Sequence, residues 1–418
     1  MKALNLKNLF IRSNQYSFIL IVVLLLIGCQ DNDFENSSEN VSSSEHNQSS
    51  TISIEEAKAI AINFLNKIEP TTRSMGCDVS DVLVWHSKEF TNTTRSTRFV
   101  SELPDTMIYI VNFENEQGYV LVSAKRKCSG VLAYIEEGHF APTEEIDNPG
   151  FKIFLNGVSK LLADNTRDMG FGGGLMPHDP VPMILSIPKL IQTKWHQRSP
   201  FNDQCPVING DHCLAGCGPI ATAQVIAYYQ TPASYNGYVY NWDSISVSNK
   251  PTTQIGMEGA AHLVHNIGLI ENADYGTQAT GVTPTDIEMC LDSLGYWHFS
   301  TGYMYELVHA SLVNQHPLII IGYTYNHSNG HAWIIDGLYE EVYSNGVNNG
   351  PDLPQDLYYV HCNWGWNGKC NGYYYSGVFD TQAQQLSDNF PMMETIPNET
   401  ISYDLSYSLQ LFSNVCPD

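Results

Sequence analysis

Positive charge is scarce in this chain. Its 418 residues hold 20 Lys and Arg against 44 Asp and Glu, a formal charge of −24. That balance leaves no electrostatic footprint for nucleic acid. The shortage is uneven: residues 191–418 contain only Lys194, Arg198, Lys250 and Lys369 beside 21 acidic residues, a net of −17. Such a region has no basic groove for phosphates and gives trypsin-like enzymes few places to cut. Charge of either sign is low, at 15% of residues against about 25% in average domains. With 43% hydrophobic residues, the composition excludes a disordered acidic chain and predicts a well-cored globular one of about two domains. Long apolar runs are missing too. The ten residues Phe18–Ile27 are too short to span about 30 Å of hydrocarbon as a helix. Neither His-Glu-x-x-His nor Gly-x-Ser-x-Gly occurs, so the zinc-peptidase and serine-hydrolase signatures are absent.

What is present begins with that short apolar run. Lys2, Lys7 and Arg12 precede it, giving the basic and hydrophobic regions of a signal peptide over residues 1–28. The run ends in Leu26-Ile27-Gly28-Cys29, which resembles a bacterial lipobox, so Cys29 is expected to be lipidated and to become the mature N-terminus. The following Gln30-Asp31-Asn32-Asp33 resembles the export signal of surface lipoproteins of the Bacteroidetes, which implies attachment to the outer membrane. Residues 29–50 are Ser, Asn, Glu and Asp with hardly an apolar group; they predict a flexible tether.

Folding is expected from residue 51 onward. Ser53 and Glu56 are spaced as a capping box, followed by an apolar stripe at Ala57, Ile60, Ala61, Phe64 and Leu65, which predicts an amphipathic helix. Met107–Phe113 and Tyr119–Ser123 flank a polar turn and predict a hairpin; Phe151–Leu162 predicts a second helix. Asp168–Pro188 carries four glycines and four prolines, so it is expected neither to pair nor to coil regularly and to form an exposed linker. The expected layout is a first domain over 51–165, a linker over 166–189 and a second domain over 190–418.

The ten cysteines are Cys29, Cys77, Cys128, Cys205, Cys213, Cys217, Cys290, Cys362, Cys370 and Cys416. In an exported protein most would pair; Cys205 with Cys213, or Cys362 with Cys370, are candidates. Cys217 stands apart. Gly216 before it permits a tight turn, and Pro219 suits the first turn of a helix, where no N–H is required. That places Cys217 at a helix N-terminus, where free N–H groups and the helix dipole favour thiolate. A thiolate nucleophile needs a base, and the base an orienting acceptor. His331 opens the apolar strand Gly330–Gly337, and Asn363 ends Val360–Asn363 before the glycine-rich turn Trp364-Gly365-Trp366-Asn367-Gly368. An Asn carboxamide oxygen that accepts the imidazole N–H fixes the tautomer facing sulfur. His212 with Cys205, Cys213 and Cys217 lacks the short paired spacing of common zinc modules, so neither metal nor cofactor is expected.

Cys217, His331 and Asn363 in that order resemble the streptopain-like cysteine peptidases. The resemblance rests on Gly216-Cys217 through Gln224, on Gly330-His331-Ala332-Trp333-Ile334-Ile335-Asp336-Gly337, on Asn363-Trp364-Gly365-Trp366 and on Thr193–Asn202. It implies an α+β fold: a papain-like catalytic domain whose antiparallel sheet packs on helices, preceded by a small α+β pro-domain. It further implies that Gln197 helps form the oxyanion hole and that Trp364 shields the bond between His331 and Asn363. Upstream, the Ser53 helix, Gly118–Arg126, Gly130–Gly138 and Asn148–Leu155 resemble the family's inhibitory pro-domain. The chain is then expected to be a zymogen cut between about residues 164 and 189, with protein or peptide substrates and its own pro-domain as intramolecular inhibitor. Gly218-Pro219 departs from the small aliphatic residues usual after the nucleophile. A silent papain-fold binder and a transglutaminase or amidase with the same triad are the alternatives that the residues leave open.

Overall fold

The computed structural model describes residues 50–68, 78–86, 106–128, 130–141, 146–163, 181–323, 330–343, 356–379 and 408–417. The expected signal peptide, Cys29, the expected tether save its last residue, and most of the 166–189 linker lie outside the described residues. No helix among the described residues is long and apolar enough to cross a membrane.

The pro-domain opens with helix α1 (Ile54–Ile68). Its capping box forms as expected: the Glu56 N–H donates to Ser53 Oγ at 3.1 Å, and the Ser53 N–H to Glu56 Oε2 at 2.7 Å. Two of the four N-terminal donors are thereby satisfied. Ala57, Ala61, Phe64 and Leu65 face inward. Strands β1 (Val79–His86), β2 (Thr106–Phe113), β3 (Tyr119–Ser123) and β4 (Val131–Ile135) form an antiparallel meander. Helix α2 (Pro149–Ala163) follows, capped by Asn148 Oδ1, which accepts the Phe151 N–H at 3.1 Å.

The linker is more ordered at its end than its composition implies. Residues 183–187 form β5 (Met183–Ile187). Two short hairpins, β6 (Val207–Ile208) with β7 (Asp211–His212) and β8 (Ser234–Tyr235) with β9 (Tyr238–Val239), flank helix α3 (Cys217–Tyr229). Helices α4 (Trp242–Ile245), α5 (Gln254–Ile270) and α6 (Pro284–Ser293) come next, then β10 (Tyr296–Gly302) and α7 (Tyr305–Val313). The catalytic sheet is completed by β11 (Leu318–Tyr323), β12 (Gly330–Val342), β13 (Leu357–Asn363), β14 (Gly372–Tyr375) and β15 (Ser408–Pro417).

These strands make one antiparallel sheet ordered β1-β2-β3-β4-β14-β13-β12-β11-β15-β10, with β5 added along the far half of β12. The join between the two domains is a strand pair: Gly372, Tyr373 and Tyr374 of β14 face Ile135, Tyr134 and Ala133 of β4. A Cβ on Gly372 would stand 2.0 Å from the Tyr134 carbonyl oxygen, so only glycine permits that approach. β5 pairs because it is the edge strand nearest β12: Leu338 faces Ile187 and Val342 faces Met183. The expectation that Asp168–Pro188 pairs nowhere is corrected for these five residues; ladder hydrogen bonds outweigh the local turn propensity of their neighbours.

Strand periodicity puts a core on each side of the catalytic sheet. Ile319, Ile321, Ala332 and Ile334 join Ile220, Ala223, Ile226, Leu263 and Ile267 of α3 and α5. The alternate residues Leu318, Ile320, Trp333 and Ile335 join the pro-domain core with Phe151, Phe154 and Tyr134. The catalytic sheet therefore buries one face against its own helices and the other against the pro-domain.

Candidate active site

Cys217 is the first residue of α3, as its flanking residues predict. Gly216 caps the helix at φ 92°, a left-handed conformation that glycine adopts without strain, and a Cβ there would lie 3.0 Å from Thr280 Cγ2. The departure at Gly218 also has a packing cause: an added Cβ would meet Val282 Cγ2 at 2.3 Å. Pro219 sits within the first turn, where its missing N–H costs nothing. The turn is braced from behind. Leu214 N–H donates to the Gly276 carbonyl at 3.0 Å, and Thr280 Oγ1 donates to the Leu214 carbonyl at 2.7 Å.

Around the sulfur, backbone N–H groups of Ala332, Gly218 and Cys217 itself lower the thiol pKa, but burial outweighs them and holds it above the usual thiol value. Cys217 is partly exposed by area, yet its surroundings are dense enough for desolvation to win. Ala332 follows His331 directly, so strand β12 brings the backbone beside the sequence-predicted base to the head of α3. His331 is 2% exposed, and burial pushes its imidazole down to about 4 against the opposing Trp364 carbonyl. Burial therefore favours the neutral form of each group over the charged form that the helix dipole alone predicts for the thiol.

The orienting acceptor is not the Asn363 side chain. His331 Nε2 lies 2.9 Å from the Trp364 backbone carbonyl, so Nε2–H donates there and Nδ1 keeps the lone pair. Asn363 works one step back. Its Nδ2 donates to the Thr193 carbonyl at 2.9 Å, and its Oδ1 accepts the Gly365 N–H at 3.2 Å. It pins the Trp364–Gly365 turn on both sides, because a carboxamide at the end of β13 is nearer these backbone groups than the ring.

The tryptophan roles also exchange. The Trp366 ring meets His331 edge to face at 77° with centroids 6.2 Å apart, and Trp333 stacks on it at 6.3 Å. Trp364 packs its ring instead against Trp333 and Tyr374, and its Nε1 donates to the Cys370 carbonyl at 3.0 Å. Gln197 lies beside the nucleophile's turn: its carbonyl accepts the Ala215 N–H at 3.0 Å.

This constellation decides the comparison with known proteins. Residues 195–374 match the peptidase C10 family, and residues 49–161 match the Spi protease inhibitor family. The chain carries a peptidase C10 domain behind a Spi-type inhibitor domain. The C10 chain is 22% identical over 384 residues to the thiol protease/hemagglutinin PrtT of Porphyromonas gingivalis, covering 80% of this chain but 39% of PrtT. It is 22% identical over 320 residues to streptopain of Streptococcus pyogenes, covering 65% of this chain and 74% of streptopain. Among solved structures, a fragment of Prevotella intermedia prointerpain A superposes with a TM-score of 0.53 at 20% identity, covering 76% of this chain and 98% of the fragment. The fold is therefore the papain-like α+β one, with the pro-domain included.

In this C10 chain the cysteine pairings are corrected. Cys205, Cys213, Cys217, Cys290 and Cys362 are free thiols, so neither the Cys205–Cys213 nor the Cys362–Cys370 bridge forms. Cys362 is fully buried in β13, whereas Cys370 Sγ lies 3.7 Å from Tyr119 Oη of the pro-domain. Cys77 lies outside the described residues. Three site neighbours escape motif reading: Gln224, Thr280 and Glu271. Glu271 is wholly buried behind Gly218, bonded by Thr222 Oγ1 at 2.7 Å, and burial raises its carboxyl to about 8. Gln224 carries a faint signal: it and Thr222 are polar side chains on a helix that is otherwise apolar all round.

The pro-domain reaches the site from the sheet's other face. Gly150 at the start of α2 packs on the Trp364 ring so closely that a Cβ would come within 2.0 Å of it. Asn148 Nδ2 donates to the Lys369 carbonyl at 2.9 Å. The residue whose carbonyl orients His331 is thus the residue the pro-domain covers.

Proposed function

We propose that the chain is a cysteine endopeptidase made as a lipid-anchored, inhibited zymogen. The observation that carries the reading is the meeting of Cys217, at the head of α3, with the start of β12, where Ala332 N–H points at sulfur and His331 is held by the Trp364 carbonyl. His331 Nδ1 takes the thiol proton, and the thiolate attacks a peptide carbonyl. The oxyanion is held by the Gln197 amide and the Cys217 N–H. The imidazolium then protonates the leaving amine, the thioester acyl-enzyme forms, and His331 activates water to release the acid. With the pro-domain seated, burial keeps both groups neutral; its departure returns water to the cleft and restores the charged pair.

Cleavage between residues 164 and 182 is the activation step this reading favours. β5 stays paired to β12 after such a cut, so residues 183–189 remain with the catalytic domain. Lipidation at Cys29 would hold the zymogen at the outer membrane with the catalytic domain exposed, and linker cleavage would release it. Radiolabelled palmitate should enter the full chain and not its Cys29→Ser variant. For the reaction, Cys217→Ala should abolish hydrolysis of a peptide library, and parent-level cleavage by that variant would overturn the assignment.

A further inference from the structure

Gln224 lies two turns after Cys217 on α3 and is fully buried. Its side-chain oxygen accepts three donors from three parts of the site: Thr193 Oγ1 at 2.9 Å, Trp195 N–H at 3.2 Å and Asn363 Nδ2 at 3.4 Å. Trp195 stands two residues before Gln197, the oxyanion amide of the proposed reaction. Asn363 pins the turn whose carbonyl holds His331. Asn363 Nδ2 also reaches the Thr193 carbonyl, which closes a small ring of hydrogen bonds. The side-chain orientation is unambiguous, since Trp195 N–H and Asn363 Nδ2 are both donors and only an oxygen can face them. That arrangement leaves the Gln224 Nε2 group without a partner among the described residues. A buried unpaired amide costs about 1–3 kcal/mol, and an apolar residue of similar shape would avoid it. Helix packing alone thus gives no reason for glutamine at this place.

We propose that Gln224 is a positioning residue: it ties the nucleophile helix to the Gln197 segment and to the Trp364 turn, and so sets the oxyanion donor and the His331 acceptor in register with Cys217. This rests on the cysteine-peptidase reading above. A single acceptor shared by three elements suits the task, because a shift of any one strand or loop is opposed by the other two. A displacement near 1 Å at such a site costs on the order of 100-fold in rate.

The test uses full-length chains incubated until the linker is cut, with hydrolysis of a quenched fluorescent peptide normalised to the Cys217 titrated by an epoxysuccinyl inhibitor. Gln224→Met removes the acceptor and keeps the volume; Gln224→Glu keeps an oxygen facing the three donors. The expected result is a kcat per titrated site about 10- to 100-fold lower in Gln224→Met, with KM within about threefold, and substantial recovery in Gln224→Glu. The alkaline limb of its kcat/KM profile should also move to lower pH, since a misplaced Trp364 carbonyl no longer supports the imidazolium. In uncleaved chains, the imidazole nitrogen shifts of His331 should report Nε2–H in the parent and a mixed tautomer in Gln224→Met, a readout that needs no activation. An unchanged kcat per titrated site, or an unchanged tautomer, would overturn the proposal. Cleavage by Cys217→Ala in the same assay would instead show that the peptidase reading itself had failed.

Discussion

Replacing Glu136 by Gln tests what holds the inhibitory domain in place. Glu136 follows β4, the pro-domain strand that pairs with β14, and its carboxylate meets two cations of the catalytic half. Lys189 Nζ bonds it directly, and His361 Nε2 lies 3.4 Å from Oε1, an ion contact rather than a well-formed hydrogen bond. On its other side His361 Nδ1 bonds Asp336 Oδ1 at 2.6 Å, and Asp336 Oδ2 accepts the Ile191 N–H at 2.9 Å. Burial pushes the His361 imidazole down, but the two carboxylates outweigh it and raise the group to about 9. Burial likewise pushes Glu136 up, and His361 with Lys189 brings it down to about 2. Removing one member of a buried ionic group costs about 3–5 kcal/mol. Glu136 and Lys189 keep 13% and 29% of their side-chain exposure, and Asp336 still neutralises His361. The discounted cost is about 2–3 kcal/mol, or roughly 30- to 160-fold in an opening equilibrium. By contrast the pair between Lys194 and Glu137, whose carboxylate is 66% exposed, should be worth less than about 1 kcal/mol.

Hydrogen exchange of the residue-136 amide, which donates to the Asn371 carbonyl across the join at 3.1 Å, measures that opening in the uncleaved Cys217→Ala chain. Glu136→Gln should speed it by roughly 30- to 160-fold, and Glu137→Gln by less than about fivefold. Equal effects of the two variants, or less than fivefold from Glu136→Gln, would refute the reasoning. The pH dependence follows the same groups. His361 is raised in the fold, so its stabilisation is complete below about pH 6.5 and disappears as pH climbs through 9. Glu136 is lowered, so its stabilisation is present above about pH 4.5 and disappears as pH falls through 2. Melting of the parent should decline on the alkaline side more steeply than melting of Glu136→Gln.

Other outcomes follow from the site. Asn363→Ala removes no acceptor of His331, because that acceptor is a backbone carbonyl, but it loosens the turn that carries it; kcat should fall by about 10- to 100-fold with the same drift toward a mixed tautomer as in Gln224→Met, and a loss as complete as in Cys217→Ala would contradict that division of roles. Gly218→Ala should destabilise the chain by about 1–3 kcal/mol through overpacking on Val282, read as a lower urea midpoint, and Val282→Ala should restore much of it. Alkylation of Cys217 by iodoacetamide in the uncleaved chain should need a pH above that of an ordinary thiol, since burial raises it, and should shift to lower pH once the pro-domain leaves. A thiol that reacts at neutral pH in the intact chain would show that the cleft is open.

Local chemistry made much of this protein legible before any coordinates. The Ser53–Glu56 cap, the 107–123 hairpin and the Cys217 helix each arise from residues within a few positions of one another, and the structure places all three as their spacing predicts. The order of Cys217, His331 and Asn363 likewise pointed to thiol chemistry. Composition speaks more coarsely: 20 basic residues against 44 acidic ones predict no polyanion partner.

Tertiary structure decided what depends on distant partners. Which acceptor meets His331 turned on an angle: the Trp364 carbonyl rather than the Asn363 carboxamide lies along Nε2–H, and a motif cannot distinguish a backbone oxygen from the side chain beside it. The pairing of β4 with β14, and of β5 with β12, depends on edges exposed only once each sheet has formed. Burial shifts Cys217 and His331 toward their neutral forms, a desolvation that opposes the helix dipole the local residues predict. Residues close in the chain settled which groups can react; tertiary packing settled their surroundings, and the burial it imposes favours their neutral forms.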